Sequence, residues 1–235
     1  MSAYRATALW LFLIGLLTGG SWTQAETVPF FAAAGVKAPA EEIIQAFEQR
    51  TGHRVIRVFE TAGAAEQRFV ASGKQGVVVT TDVRLQKASS AGGTLSAGVV
   101  RHVGDTLAGV AVSQSFAKEQ VNASGQASSV VKRRKIDSAA DLKAVLLSAK
   151  RIAFSDPARG ATVGVHFAQV IEQLGIKPAV MEKAVIAKDG IETMKLVASG
   201  EVDIGITQMS EILQADASLV LGTFPAELEL ATKYS

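Results

Sequence analysis

One segment of the sequence, residues 151–175, reads RIAFSDPARGATVGVHFAQVIEQLG. Its first apolar run, residues 152–154, indicates a buried strand, and the Asp-Pro pair that follows breaks the strand and opens a loop. The segment then predicts a helix that ends at Gly175, because glycine is common just after the last helical residue. The apolar residues that recur at helical spacing on one face are Val163, Phe167, Val170 and Leu174.

The loop between this strand and this helix is suited to binding an anion. The first N–H groups of the helix and the positive end of its dipole face the loop. Thr162 can cap the helix or donate its hydroxyl to a ligand, and Arg159 can add a charge-assisted hydrogen bond. An ordinary strand-to-helix connection with a threonine cap explains the same residues equally well, so both interpretations stay open here.

Residues 1–25 have the pattern of a secretory signal peptide. Arg5 precedes an apolar run, and Thr23-Gln24-Ala25 forms a small-x-small cleavage site. An uncleaved anchor is the alternative, although the run is short for a bilayer. The chain has no cysteine, so it has no disulfide and no thiolate chemistry. Together these features predict a bacterial periplasmic protein.

The chain is nearly neutral. Its formal net charge is +2, and removal of Arg5 with the signal peptide leaves +1. Such a charge gives no reason to expect nucleic-acid binding. The basic run at residues 132–135 is interpreted as a solvated loop.

Strands and helices alternate along the chain. Apolar runs at residues 28–33, 55–59 and 77–80 predict strands, the last of them buried on both faces, with helices between them. The alternation predicts a parallel sheet covered on both sides, in which ligands bind beyond the carboxyl ends of the strands. Small-residue turns at residues 34–36 and 61–64 lie at that edge and are candidate ligand loops; the alternative is that they only permit tight turns.

The second half of the chain predicts further elements. Residues 105–112 form a predicted strand, residues 116–135 are interpreted as an exposed polar loop, and Ser138 is a predicted N-cap. A strand at residues 202–206 leads to Thr207 and Gln208 at its carboxyl end.

The sequence resembles the molybdate-type periplasmic substrate-binding proteins in five blocks, which occur in the same order: FFAAAGVKAPAEEIIQAFEQRTGHRV, ETAGAAEQRFVASG, RIAFSDPARGATVGVHFAQVIEQLGI, GIETMKLVASGEVDIGITQMSEI and LVLGTFPAELE. The resemblance implies the α/β type II periplasmic-binding fold: two lobes of mixed, mostly parallel sheets with helices on both faces, two crossover strands, and a ligand cleft. It implies a signal peptide at 1–25, a first lobe at 26–108, a second lobe at 109–226 and the start of a return crossover at 227–235. Relatives continue into a strand and a terminal helix, so we expect the C-terminal part of the first lobe to be missing.

The resemblance also implies a ligand site. The family holds an oxyanion through two serine hydroxyls, one tyrosine hydroxyl and backbone N–H groups at helix starts. Here the serine positions are Gly35 and Ala62, and the tyrosine position is Gln208. The side-chain donors have therefore changed, which leaves backbone donors near Thr162 and Gly190. The candidate ligand-binding residues are Ala34, Gly35, Thr61, Ala62, Gly63, Arg159, Ala161, Thr162, Gly190 and Gln208.

These features predict the solute-binding protein of an ABC importer, which closes its cleft on a small ligand, such as the oxyanion molybdate, and docks on an inner-membrane permease. We expect a monomer with no catalytic residue, cofactor, metal ion or nucleic-acid partner. The alternative is a periplasmic sensor or accessory protein that binds a small organic ligand without coupling to transport.

An enzyme is the third hypothesis, and the sequence gives it little support. His53, His102 and His166 lie far apart and in no metal-binding spacing, and no G-x-S-x-G motif occurs. His166 is interpreted as a surface or packing residue. Asp156, which precedes a proline, is interpreted as a turn cap.

Overall fold

The computed structural model describes residues 25–73, 75–90, 100–123 and 136–235. Within these ranges the chain forms nine strands and nine helices. The predicted signal peptide, apart from Ala25, and the basic run at residues 132–135 lie outside the described residues. No helix in the described part of the chain is long and apolar enough to span a membrane.

The first lobe is built on a three-stranded sheet. Its strands are β1 (Thr27–Ala33), β2 (Arg54–Glu60) and β3 (Val77–Val79), and its helices are α1 (Lys37–Thr51), α2 (Ala62–Ala71) and α3 (Asp82–Ser89). The order is β2-β1-β3 and both pairings are parallel, because each helix returns the chain to the start of the next strand. The prediction that the third strand is buried on both faces is wrong: β3 is an edge strand, and Val77 is 45% exposed.

The second lobe is built on a mixed sheet. Its strands are β4 (Gly104–Val112), β5 (Ile152–Ser155), β6 (Ala184–Ala187), β7 (Ile204–Gln208), β8 (Val220–Thr223) and β9 (Ala231–Tyr234). Its helices are α4 (Gln114–Ala123), α5 (Ala139–Ser148), α6 (Thr162–Gln173), α7 (Lys177–Met181), α8 (Gly190–Ala198) and α9 (Met209–Asp216). The order is β6-β5-β7-β4-β8, with β9 paired to β4. β5 is parallel to β6 and β7, whereas β4 is antiparallel to its neighbours.

The core of the second lobe packs around aromatic rings. Phe154 of β5 and Phe167 of α6 meet edge to face with ring centroids 5.0 Å apart, and Phe224 lies 6.4 Å from Phe167. All three are at most 1% exposed. The predicted apolar face of α6 is confirmed for Val163, Phe167 and Val170, and such buried ring pairs stabilise the fold beyond the area they bury.

α6 lies against β5 with no room for a side chain at Gly164. A Cβ atom there would overlap the carbonyl oxygen of Ser155. Because that oxygen belongs to the backbone of a buried strand, it has no side-chain rotation by which to give way. This close approach holds the first turn of α6 beside the carboxyl end of β5.

Two strands connect the lobes. The first part of β4 pairs with β9, from Gly104↔Tyr234 to Leu107↔Ala231, and its second part pairs with β7. Beyond β9, Ser235 exchanges backbone hydrogen bonds with Thr80 of the first lobe, both 3.1 Å long. The two strands therefore form the crossover. The lobe boundaries at residues 108/109 and 226/227 stay a prediction.

Two predictions for the second lobe need correction. The exposed loop predicted at residues 116–135 is helical in its first part, where α4 begins after Ser113, whose hydroxyl accepts the Phe116 N–H at 3.3 Å; residues 124–135 lie outside the described residues. The strand predicted at residues 202–206 runs from Ile204 to Gln208 instead, because it pairs in register with β4 up to Ala108↔Gln208. Helix α9, which follows that strand directly, has no counterpart among the predicted elements.

Candidate functional site

Four helices begin around one cavity between the lobes. α2 belongs to the first lobe, and α6, α8 and α9 belong to the second. The first N–H groups of a helix have no partner within it, so four positive helix ends meet at this gap. The cavity volume is about 30 Å³. Its lining residues are Thr61, Ala62, Ser155, Ala161, Thr162, Val163, Gly190, Thr207, Gln208, Glu211 and Tyr234.

The start of α2 ties the two lobes together. Thr61 is its N-cap and accepts the Ala64 N–H at 3.2 Å, while its own hydroxyl donates to the carbonyl oxygen of Arg159. The Gly63 N–H donates to the Gly160 carbonyl oxygen at 3.4 Å. A Cβ atom on Gly63 would lie 2.9 Å from the Arg159 oxygen, so the lobes approach this closely only because residue 63 is glycine.

The start of α6 differs from its prediction in one respect. Ala161 is the N-cap and Thr162 is the first helical residue, so Thr162 does not cap the helix. Asp156 caps the turn before it, since its Oδ1 accepts the Ala158 N–H at 2.9 Å, as predicted. The Arg159 side chain lies outside the cavity. It is 43% exposed, and its Nη2 lies 3.9 Å from Oε1 of Glu60.

The starts of α8 and α9 face each other. Asp189 caps α8 by accepting the Glu192 N–H at 2.8 Å. Gln208 is the N-cap of α9, and Oε2 of Glu211 in its first turn accepts the Gln208 N–H at 3.2 Å and the Thr207 hydroxyl. This carboxylate is buried, and burial raises the pKa of Glu211 to about 7.

Tyr234 fills the space above the first candidate loop. A Cβ atom on Gly35 would lie 2.8 Å from the Tyr234 hydroxyl oxygen. Nε2 of Gln208 donates to that oxygen at 3.2 Å and to Oγ1 of Thr232 at 3.0 Å. Burial raises the pKa of Tyr234 above its ordinary value, and the charge of Glu211 raises it further, so the phenol stays neutral and keeps a proton to donate.

The sequence matches a family model over residues 28–235, and the family is described as bacterial extracellular solute-binding protein. The chain belongs to this family. Solute-binding proteins of this kind bind a small ligand and deliver it to an ABC permease. No curated protein matches the sequence.

Solved structures of periplasmic binding proteins share the fold of this solute-binding protein. The periplasmic molybdate-binding protein of Azotobacter vinelandii has a TM-score of 0.62 at 20% identity, over 88% of this chain and 83% of that chain. AfuA of Actinobacillus pleuropneumoniae, with fructose-6-phosphate bound, has a TM-score of 0.58 at 14% identity, over 89% and 73%. PhnD1 of Prochlorococcus marinus, in complex with methylphosphonate, has a TM-score of 0.55 at 13% identity, over 88% and 74%. The predicted two-lobed type II periplasmic-binding fold is confirmed.

The structure brings six of the ten candidate residues to the cavity of this solute-binding protein: Thr61, Ala62, Ala161, Thr162, Gly190 and Gln208. Ala34 and Gly35 are buried but do not line the cavity, and Tyr234 covers Gly35. Gly63 and Arg159 contribute backbone contacts between the lobes rather than cavity wall.

Sequence reasoning missed five lining residues: Ser155, Val163, Thr207, Glu211 and Tyr234. One signal was available, since Gln208 followed three residues later by Glu211 is close to a capping box. A cap at Gln208 would have predicted α9 and placed its first turn, with Glu211, at the sheet edge.

Within the described part of the chain, no group of acidic and histidine side chains could hold a metal ion. His166 is a packing residue, as interpreted from the sequence: Nε2 lies 2.8 Å from the Leu228 carbonyl oxygen, and the ring stacks at a tilt on Phe224.

Proposed function

We propose that this protein is the periplasmic solute-binding component of an ABC importer and that it binds a small oxyanion between its lobes. The observation that carries the proposal is the meeting of four helix starts at one cavity. Helix starts bind anions because their free N–H groups and dipoles point at the ligand. Of the described residues, those that line the cavity include no lysine, arginine or histidine, so the donors are neutral.

The ligands of the structural neighbours agree with this ligand class. One neighbour is a molybdate-binding protein, and the other two hold methylphosphonate and fructose-6-phosphate, so all three ligands present an oxyanion. The contacts of Thr61 and Gly63 with the backbone of the other lobe hold the cleft closed, and the permease reads that closed form. The same proposal includes export by a signal peptide at residues 1–25 and a monomeric state. It also includes lobes at residues 26–108 and 109–226, with a return crossover from residue 227.

A ligand panel tests the oxyanion class. Phosphate, methylphosphonate, sulfate, molybdate and acetate are added to the folded protein, with chloride at equal ionic strength as the control. At a ligand concentration of about 100 times Kd, the gain in stability is about 2.7 kcal/mol, which raises the Tm by about 5–10 °C for a chain of this size. Failure of every oxyanion to raise the Tm of the folded protein contradicts the proposal.

The substitution Thr162→Pro tests the backbone donors directly. Proline is well tolerated at the first helical position, and Ala161 before it already has the extended backbone, with ψ of 113°, that proline requires. The change removes the Thr162 N–H together with its hydroxyl, whereas the control Thr162→Ala removes the hydroxyl alone. We expect Thr162→Pro to bind the oxyanion roughly 10- to 100-fold more weakly than Thr162→Ala, since a hydrogen bond to a charged group contributes about 1.5–3 kcal/mol. Equal affinities in titration calorimetry would show that this N–H does not contact the ligand.

A further inference from the structure

The cavity wall contains a buried carboxylate among its donors. Glu211 is 7% exposed, and its Oε2 accepts from the Gln208 N–H and the Thr207 hydroxyl. A Cβ atom on Gly190 would overlap this carboxylate, so the acid lies directly against the first residue of α8. It therefore stands where an anion bound to these helix ends would also lie.

No cation balances this carboxylate within the described residues, whose ion pairs do not include Glu211. The titratable groups that face it are Asp189 of α8 and Tyr234 of β9. Burial first, and then the charge of Asp189, raise the pKa of Glu211 to about 7, against the two hydrogen bonds that lower it. The acid is thus close to its titration midpoint at neutral pH.

A second acceptor lies in the same wall. Oε1 of Gln208 is buried without a well-formed hydrogen bond, although Nε2 of the same amide has two partners. The Glu211 N–H faces this oxygen in a loose capping box, so the acceptor keeps capacity for a stronger donor. The wall thus offers two acceptor groups, Glu211 and Gln208, beside the helix N–H groups, and a ligand that brings a hydroxyl hydrogen as well as negative oxygens satisfies both kinds of group.

We propose that the bound oxyanion and Glu211 share one proton, and that the site therefore prefers phosphate and phosphonate groups to sulfate and molybdate. This inference rests on the proposed function, that the cavity takes an oxyanion. Two negative groups in contact repel each other strongly in a buried site, whereas a proton between them makes a short, strong O–H···O⁻ hydrogen bond. A phosphate-type group keeps such a proton close to neutral pH, with a second pKa of about 6 in a monoester, while sulfate and molybdate are fully ionised there.

Titration calorimetry on the full chain and on Glu211→Gln tests the shared proton. Phosphate, methylphosphonate, sulfate and molybdate are titrated between pH 6 and pH 8.5. In the unmodified protein, we expect the affinity for sulfate and molybdate to fall about tenfold per pH unit above pH 7, because these ligands bring no proton and Glu211 must take one up. Hydrogen phosphate keeps a proton over this whole range, so we expect its affinity to change little above pH 7. At pH 8 we expect phosphate to bind at least about tenfold more tightly than sulfate, because hydrogen phosphate supplies the shared proton and sulfate does not.

The Glu211→Gln variant carries an amide donor at all pH values, so we expect its sulfate affinity to be independent of pH and its preference for phosphate to fall to about threefold or less. If that variant does not fold, binding heats of the unmodified protein in two buffers of different ionisation enthalpy give the number of protons taken up. At pH 8 we expect this number to be close to one for sulfate and close to zero for phosphate. A pH-independent sulfate affinity in the unmodified protein, or an unchanged preference in the variant, overturns this inference. Lack of oxyanion binding by both proteins at every pH overturns the proposed function instead.

Discussion

Replacing Gly164 with alanine is expected to destabilise the protein by about 3 kcal/mol, because a methyl group there would overlap a backbone oxygen of β5. Relief of that overlap requires α6 to move away from the sheet. The movement would loosen the packing of Phe167 against Phe154, whose ring centroids are 5.0 Å apart, and shift the first turn of α6 away from the cavity. Urea unfolding followed by circular dichroism measures the loss as a lower midpoint with an unchanged slope.

The matched control is Gly222→Ala in β8 of the same lobe. A Cβ atom on Gly222 has no atom within 4 Å, and no positive φ is recorded there, so its free energy of unfolding should change by no more than about 0.5 kcal/mol. A loss in Gly164→Ala that is no larger than in the control would mean that α6 does not press on β5 as described.

Replacing Glu211 with glutamine is expected to stabilise the protein at alkaline pH relative to the unmodified chain. Folding raises the pKa of Glu211 from 4.5 to about 7, so the folded state favours the protonated acid. The resulting stabilisation is complete below about pH 4.5, falls as the pH rises, and is lost above about pH 7. The shift corresponds to a difference on the order of 3 kcal/mol in the free energy of unfolding.

Urea unfolding of both proteins at pH 4.5 and pH 8 measures this effect. The free energy of unfolding of the unmodified chain is subtracted from that of the variant at each pH, so the contributions of the other titrating groups cancel. The stability of Glu211→Gln relative to the unmodified chain should rise by about 3 kcal/mol between the two values. Glu42→Gln, at an exposed position of α1, is the matched control for loss of a glutamate charge. A relative stability that is the same at both pH values would show that the acid is not buried in the folded state.

Many strands and helices of this fold can be predicted from the local spacing of apolar residues in the sequence. The apolar spacing of residues 151–175 predicts β5 and α6, because burial of one helix face requires that spacing. The same reasoning gives β1 and β2 within one residue at each end. The prediction that β3 is buried on both faces is wrong, because a short run of valines has the same pattern at the edge and at the centre of a sheet.

The side chains of the site are much harder to predict, because they depend on contacts between distant parts of the chain. The backbone positions around Ala62 and Thr162 follow from strand-to-helix turns, whereas Gly190 is a candidate only through the family resemblance. The contact of Tyr234 with Gly35 joins residues at opposite ends of the described chain, and no local spacing encodes it. Likewise, the apposition of Glu211 and Gly190 depends on how α8 and α9 meet.

Tyr234 links the crossover between the lobes to the wall of the cavity. Its backbone lies in a crossover strand, where its carbonyl oxygen accepts the Val103 N–H at 2.8 Å, while its hydroxyl spans from Gln208 of one lobe to Gly35 of the other. If the lobes separate, the Tyr234 hydroxyl must lose its contact with either Gln208 or Gly35. Separation of the lobes is therefore coupled to loss of this part of the cavity wall. The proposed ligand would oppose that separation if it stabilises the position of the phenol.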